Sequence, residues 1–294
     1  MTMKTIKKTL GVIGAGSMGM AIALNLKQKG FDVVIRDIRP DIEHKAREYG
    51  MEVANSPAEL ASKTDFIIVV VVNATQVHHV LFGSDGVTSN GSRHQTIMLC
   101  PTIAVEDTET FSHQLINTGF SVLDAPISGG PVRARAGTMS IMLAGEQTVI
   151  DQHWEILQAM SDRIFQLGSR LGDGARYKLV NNLVAGINLV AASEAVALAK
   201  RIGLDIEKTV ALMSASSGQS MMLDDRLPRA LANDFSPHAY AYILTKDVAL
   251  GLSMAESAGV RLPMAEHALE IFKATLACGF DELDDSAVLK TLLD

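Results

Sequence analysis

An apolar run, Thr9 to Ile13, passes straight into Gly14-Ala15-Gly16-Ser17-Met18-Gly19, and a helix-compatible stretch, Ser17 to Lys29, begins inside the same string. Strand, glycine turn and helix in that order leave few folds open. The first glycine permits a tight turn, the second lets backbone approach a ligand, and the third lets the helix pack close to the strand. N–H groups at the start of such a helix attract phosphate. A second strand candidate, Asp32 to Arg36, ends at Asp37, about 20 residues beyond the glycines, where a carboxylate can accept hydrogen bonds from both ribose hydroxyls and repel a 2′-phosphate. The string therefore predicts a dinucleotide site made by Gly14, Ala15, Gly16, Ser17, Met18, Gly19 and Asp37, with NAD favoured over NADP. Two readings compete with it: a tight turn that binds nothing, and an NADP site in which Arg36 or Arg39 turns toward the extra phosphate.

The rest of the first half keeps the same alternation. Phe66 to Val72, Thr96 to Cys100 and Ser121 to Leu123 are further strand candidates. Phe66 to Val72 is apolar at every position, as a central strand covered on both faces should be. Ser56, Pro57 and Glu59 read as N-cap, first helical residue and capping-box partner of a helix. After Gly168 the pattern changes. Arg176 to Arg201 contains no proline and a single glycine, and Ile206 to Ser214, Ala241 to Ser257 and Met264 to Ala277 also have helical spacing. The expected fold is α/β: an N-terminal Rossmann dinucleotide-binding domain at 1–169, then a mostly α-helical C-terminal domain at 170–294 that includes a long interdomain helix.

Composition excludes several classes of function. The 294 residues carry a formal charge of -7 and no basic block, which argues against a nucleic-acid partner. The apolar run Phe66 to Val72 is far shorter than the ~20 residues of a membrane-spanning helix, and the start, MTMKTIKKTLGVIG, lacks the apolar stretch and cleavage site of a leader. No membrane partner and a cytoplasmic location are expected. Cys100 and Cys278 are too few for a disulfide framework and are expected to be reduced thiols in the core or near the site. His78 and His79 are adjacent, and no Cys or His cluster has ligand spacing, so no metal is expected.

In VLDAPISGGPVRARAGTMSIMLAG, Val122 to Gly145, an apolar run breaks into Ser128, Gly129 and Gly130 before the chain becomes strand-like again. Glycine pairs mark turns. Asp124, Pro126, Arg133 and Arg135 so close by exceed what a turn needs, and a loop that holds a ligand is the alternative. A nicotinamide enzyme acting on a carbinol carbon also needs a group for the hydroxyl proton. Lys178 and Asn182 lie four residues apart near the start of the long helix, on one face with Gly186. The helix dipole and partial burial both disfavour an ammonium there. A solvated first-turn lysine is the plainer reading.

Gly14 to Gly19, Asp124 to Gly137 (DAPISGGPVRARAG), the GDGARYKLVNN segment ending at Asn182, and Lys246-Asp247 together resemble the four successive signatures of the β-hydroxyacid dehydrogenase family, over essentially the whole chain. The resemblance implies a substrate carboxylate held by Ser128, Gly129 and Gly130. It implies Lys178 as catalytic acid/base and Asn182 as the residue that positions substrate or lysine. Lys246 would close over substrate and nicotinamide, with Asp247 orienting it, and Thr102 and Asn73 would lie in loops that contact the cofactor. Asn73 stands where many members have proline, and Cys100-Pro101 before Thr102 is a further departure. Asp124 is expected to be a structural hydrogen-bonding residue. Pro131, Val132 and Arg133 are placed to select the substrate's far end.

Within the family, SASSGQSMMLDDRLPRALANDFSP, LTKDVALG and DELDDSAVLK are similar to L-threonate dehydrogenases and related sugar-acid enzymes. Relatives with the same loop and lysine include 3-hydroxyisobutyrate dehydrogenases and tartronate and succinic semialdehyde reductases. A non-catalytic nucleotide-binding module or an imine reductase would be expected to have lost the lysine. The family resemblance also implies a homodimer or homotetramer acting on a small carboxylate.

Overall fold

The computed structural model describes residues 8–91 and 95–293, so the N-terminal lysines Lys4 and Lys7 lie outside the described residues. The chain divides into two compact units, Met1–Lys178 and Leu179–Asp294.

The first unit alternates strands and helices: β1 (Thr9–Ile13), α1 (Ser17–Gln28), β2 (Asp32–Arg36), α2 (Pro40–Glu48), β3 (Glu52–Val53), α3 (Pro57–Lys63), β4 (Phe66–Val69), α4 (Ala74–Phe82), α5 (Val87–Asn90), β5 (Thr96–Leu99), α6 (Val105–Asn117) and β6 (Ser121–Asp124). Then follow β7 (Ile127–Ser128), α7 (Gly130–Ala136), β8 (Ser140–Gly145), α8 (Gln147–Gln152), α9 (Trp154–Met160), β9 (Arg163–Gly168) and α10 (Asp173–Arg201). The sheet runs β3-β2-β1-β4-β5-β6-β8-β7, with β9 beside β8. Pairing is parallel through β6, and β8 runs antiparallel to β6 and β7. This is the doubly wound order in which strand direction of travel reverses between β1 and β4, and ligands bind outside the carboxyl ends of strands at that point. One apolar cluster, with Leu10, Ile22, Ile35, Phe66 and Ile141, covers one face, and a second, with Ile13, Leu60, Ile67, Val77 and Ile97, covers the other.

Four strands escaped the sequence pattern or were only hinted at. β3 and β7 are two residues long, and β9 is largely exposed, so none of the three shows an apolar run. β8 is the strand-like resumption after the glycine pair. Conversely, β4 stops at Val69, whereas the apolar run goes on to Val72. Val70 still donates to Ile13 O at 2.8 Å, but its own carbonyl lies against Gly14, so the run leaves the sheet at the crossover. The capping box is also only half formed. Ser56 accepts from Glu59 N, but the Glu59 carboxylate takes the Asn55 N–H and amide instead of the Ser56 N–H. Cys278 is exposed at the end of a helix, which corrects its expected place in the core or near the site, whereas Cys100 is buried.

The second unit is helical: the continuation of α10, then α11 (Ile206–Ser214), α12 (Met221–Leu231), α13 (Ala241–Ser257), α14 (Pro263–Ala277), a 3-10 turn (Asp285–Ala287) and α15 (Val288–Leu293). α10 is long and apolar enough to cross a membrane, yet half of its apolar window is buried inside the protein. Its packing explains its composition. A Cβ at Gly186 would fall 2.7 Å from Val248 and 3.3 Å from Phe272, and one at Gly251 would fall 2.7 Å from Leu183, so α10 and α13 cross at glycines. Asp284 and Asp285 hold Arg229 and Arg226, and Asp284 also accepts from His238 N, which pins the segment before α13.

Candidate active site

Local geometry accounts for each glycine of the first loop separately. Gly14 has φ +89°, donates to Arg36 O at 2.9 Å, and would bring a Cβ to 2.7 Å from Val70 O. Gly19 sits so close to the turn that a Cβ would lie 2.1 Å from Gly14 O. Gly16 has an ordinary φ of -59°, so it serves by leaving room. Among the described residues no side chain caps α1, and first-turn N–H groups of this kind are suited to a phosphate. Ala15 is buried and Met18 packs against the sheet core, so each offers backbone, while Ser17 is exposed.

Asp37 directly follows the last residue of β2, but its carboxylate is not bare. Arg39 donates to Asp37 Oδ1 from its backbone N (3.0 Å) and Nε (3.1 Å), and from Nη2 to Oδ2 at 3.4 Å. The same Nη2 lies 3.2 Å from where a Gly16 Cβ would be. Arg39 thus spans from the carboxylate to the glycine loop. Arg36 points elsewhere, donating to Glu43 at 2.6 Å and to Asp37 O at 2.7 Å. Ile38, between them, is 78% exposed and was not singled out from sequence. Its signal was there: a β-branched apolar residue past the end of a strand, where the core has ended.

Asn73 caps α4, its side chain accepting from Gln76 N at 2.9 Å, which commits its oxygen locally. Thr102 is half-buried between β5 and α6. Cys100 is buried, and desolvation together with the neighbouring Asp124 charge pushes its thiol far up, so it is an inert packing group.

The middle motif folds as β6, a short link, β7 and α7. Ser128 is half-buried and pairs with Ser140 of β8. Gly129 has φ +129° and Gly130 φ +75°, conformations that side-chain-bearing residues rarely adopt. A Cβ on Gly130 would meet nothing within 4 Å, so that side of the loop is open. Arg133 lays its stem against Gly129, with Cδ 3.1 Å from the Cβ position, and Val132 is 66% exposed. Arg135 turns away to Gln28 at 2.8 Å.

Lys178 is buried, at 7% exposure, which rules out the solvated first-turn reading. It follows Gly174 by four residues, so it lies on the face of α10 where a Gly174 Cβ would sit 2.9 Å from Asp124. Asp124 Oδ2 accepts from Gly172 N (2.8 Å) and Ala175 N (3.3 Å). Burial pushes the Asp124 carboxyl up to about 7, against the pull of the Ala175, Gly172 and Gly174 N–H groups.

In the second unit, Asn182 Nδ2 donates to Asp247 Oδ2 at 2.7 Å, and Lys246 Nζ donates to Asp247 Oδ1 at 2.6 Å. Buried Asp247 therefore clasps both, where the sequence reading gave it Lys246 alone. The clasp fixes the Asn182 amide: nitrogen to Asp247, oxygen accepting from Asn181 Nδ2 at 3.0 Å.

A doubly wound sheet with this glycine loop, and a buried lysine near the start of the long helix, is the frame of a nicotinamide-dependent dehydrogenase. Residues 9–168 match the family described as the NAD binding domain of 6-phosphogluconate dehydrogenase, and residues 172–292 the one described as NAD-binding of NADP-dependent 3-hydroxyisobutyrate dehydrogenase. L-threonate dehydrogenase of Cupriavidus necator is 33% identical over 285 residues, 97% of this chain and 96% of its own. 2-Hydroxy-3-oxopropionate reductase of Escherichia coli (strain K12) is 30% identical over 96% of each chain. The crystal structure of 3-hydroxyisobutyrate dehydrogenase from Salmonella typhimurium superposes with a TM-score of 0.91 at 31% identity, covering 97% of this chain and 99% of that one. The chain belongs to the NAD-dependent β-hydroxyacid dehydrogenase family, of the 3-hydroxyisobutyrate dehydrogenase-like kind.

Proposed function

We propose that the protein oxidises a small sugar acid of the L-threonate kind at a CH–OH group with NAD, as a homodimer or homotetramer in the cytoplasm. The observation that carries the reading is Lys178, buried on the same helix face as Asn182, in a chain whose Gly129-Gly130 pair keeps an open, backbone-lined loop. The similarity to L-threonate dehydrogenases supports the substrate class.

Gly14, Gly16, Gly19 and the uncapped start of α1 fit a pyrophosphate, because a Cβ on Gly14 or Gly19 would collide with backbone at the turn and Gly16 leaves room above it. Asp37 would take the adenosine ribose, Ile38 the adenine face, and Thr102 and Asn73 the nicotinamide side. NAD, when bound, supplies the hydride acceptor. The protein's residues supply the rest. Ser128 Oγ and the N–H groups of Gly129 and Gly130 hold the carboxylate, while Arg133 lies beside them toward the far end. Neutral Lys178 Nζ accepts the hydroxyl proton as the C–H bond breaks, and in reduction its ammonium returns it. Asn182, fixed by Asp247, orients the hydroxyl or the lysine.

Lys178→Ala should keep NAD affinity, since the glycine loop is untouched, and lose ~10²–10⁴ in kcat. Lys178→Arg should fail as well, because guanidinium stays protonated. Oxidation and reduction should show opposite pH dependences. Near-native oxidation by either folded variant would place the proton acceptor elsewhere. A screen of small hydroxy acids with NAD and NADP, read by nicotinamide absorbance, identifies the substrate, and light scattering gives the oligomer. The exposed apolar row Tyr177, Val180, Val184 and Leu198 on α10 supports self-association.

A further inference from the structure

Asp124 occupies a joint that the catalytic assignments leave unused. Toward one side it is locked into the sheet, opposite Ala144 of β8, and the chain that follows stays locked: Ala125 N donates to Leu99 O at 2.8 Å, Met142 N to Pro126 O at 2.9 Å, and Ser128 pairs with Ser140. The glycine loop therefore hangs from Asp124 by a short link tied to its neighbours at Ala125, Pro126 and Ser128. Toward the other side, Asp124 Oδ2 takes the Gly172 and Ala175 N–H groups at the start of α10. Gly174, between them, lies so close that a Cβ would fall 2.7 Å from Met142 O and 2.9 Å from the Asp124 carbonyl and Cγ. Gly174 and Lys178 share a helix face, so the contact that seats the one sets the height and rotation of the other.

We propose that Asp124 is a positioning residue for proton transfer: it holds the first turn of α10 against the sheet that carries Ser128, Gly129 and Gly130, and so sets the reach of Lys178 to the hydroxyl of a substrate whose carboxylate that loop holds. This rests on Lys178 being the acid/base. The carboxylate itself takes no proton from substrate. Its shared oxygen is an acceptor for backbone, and a helix turn slipped by even ~1 Å costs on the order of 10²-fold in rate. Gly174 is the second half of the joint, since only a residue without Cβ fits beneath the helix.

The test compares Asp124→Ala, Asp124→Asn, Gly174→Ala and Lys178→Ala in the full chain, with kcat, substrate KM, NAD affinity by fluorescence and thermal unfolding read for each. Asp124→Ala and Gly174→Ala should lose about 10²-fold in kcat while NAD affinity holds within about twofold. Asp124→Asn keeps an oxygen for both N–H groups and should recover to within about fivefold of native kcat. A folded Asp124→Ala or Gly174→Ala with native kcat overturns the proposal. So does an Asp124→Asn as slow as Asp124→Ala, which would put the carboxylate in the chemistry, or a parallel fall in kcat and NAD affinity, which would mean general damage. Should Asp124→Ala fail to fold, Asp124→Asn and Gly174→Ala decide. If Lys178→Ala is active, the lysine assignment has failed; if it is dead while the joint variants are native, only the joint has.

Discussion

At the scale of single residues, Asp37 and Arg39 show how a side chain two positions away changes the meaning of a motif. Bare, Asp37 would repel a 2′-phosphate; with Arg39 donating to both of its oxygens, the pair is close to neutral. The native enzyme should still have the higher kcat/KM with NAD, and Asp37→Ala should narrow that preference by removing ribose hydrogen bonds. Arg39→Ala should widen it, because the carboxylate is then unscreened. Steady-state kinetics with both cofactors decides, and a native preference for NADP would sink the assignment. Gly129 gives a second prediction. At φ +129°, Gly129→Val strains the loop and narrows the approach to its N–H groups, so substrate KM should rise far more than NAD KM. Equal rises would make the loop a support of the fold.

At the scale of elements, His153 between α8 and α9 latches the helices to the sheet. Lys8 Nζ can only donate, so His153 Nδ1 accepts at 3.2 Å and Nε2–H is left to donate to Thr96 Oγ1 at 2.7 Å. Burial first, then the Lys8 charge, lowers its pKa from 6.5 to about 4. The unfolded chain therefore takes up a proton below about 6.5 while the folded one resists it until about 4, so the latch's contribution is full above 6.5 and is lost as pH falls between these values. His153→Gln should be less stable than native at pH 7 by roughly 1–3 kcal/mol, and the gap should shrink toward pH 4.5. Unfolding temperatures across that range check it; a constant gap refutes it. The sequence showed no sign of this latch, because its partners come from Lys8, Thr96 and a turn far along the chain. The opposite held for α11 and α13, whose predicted bounds are the observed ones, since Asp205 caps the one within a turn and helical spacing is itself local.

At the scale of the whole molecule, each unit has its own core. Phe272, fully buried among Val248, Leu289 and the α10 glycine face, anchors the second. Phe272→Ala should cost about 3–5 kcal/mol there, seen as a lowered calorimetric transition, while NAD titrations at low temperature stay near native. A matching loss of NAD affinity would show that the first unit depends on that core.

Periodicity and glycine placement were enough to write down the α/β order, the helical second half and the cofactor loop, because a twofold strand pattern, a 3.6-residue helix pattern and a turn that tolerates no Cβ are all imposed by neighbours in the chain. The anion loop and Lys178 could be marked from the same string. Their environment could not. That Lys178 is buried, that Asp247 clasps Asn182 and that Asp124 seats α10 follow from pairings across the sheet and between helices, where the desolvation of a charge and the reach of a hydrogen bond depend on groups brought together only when the chain packs.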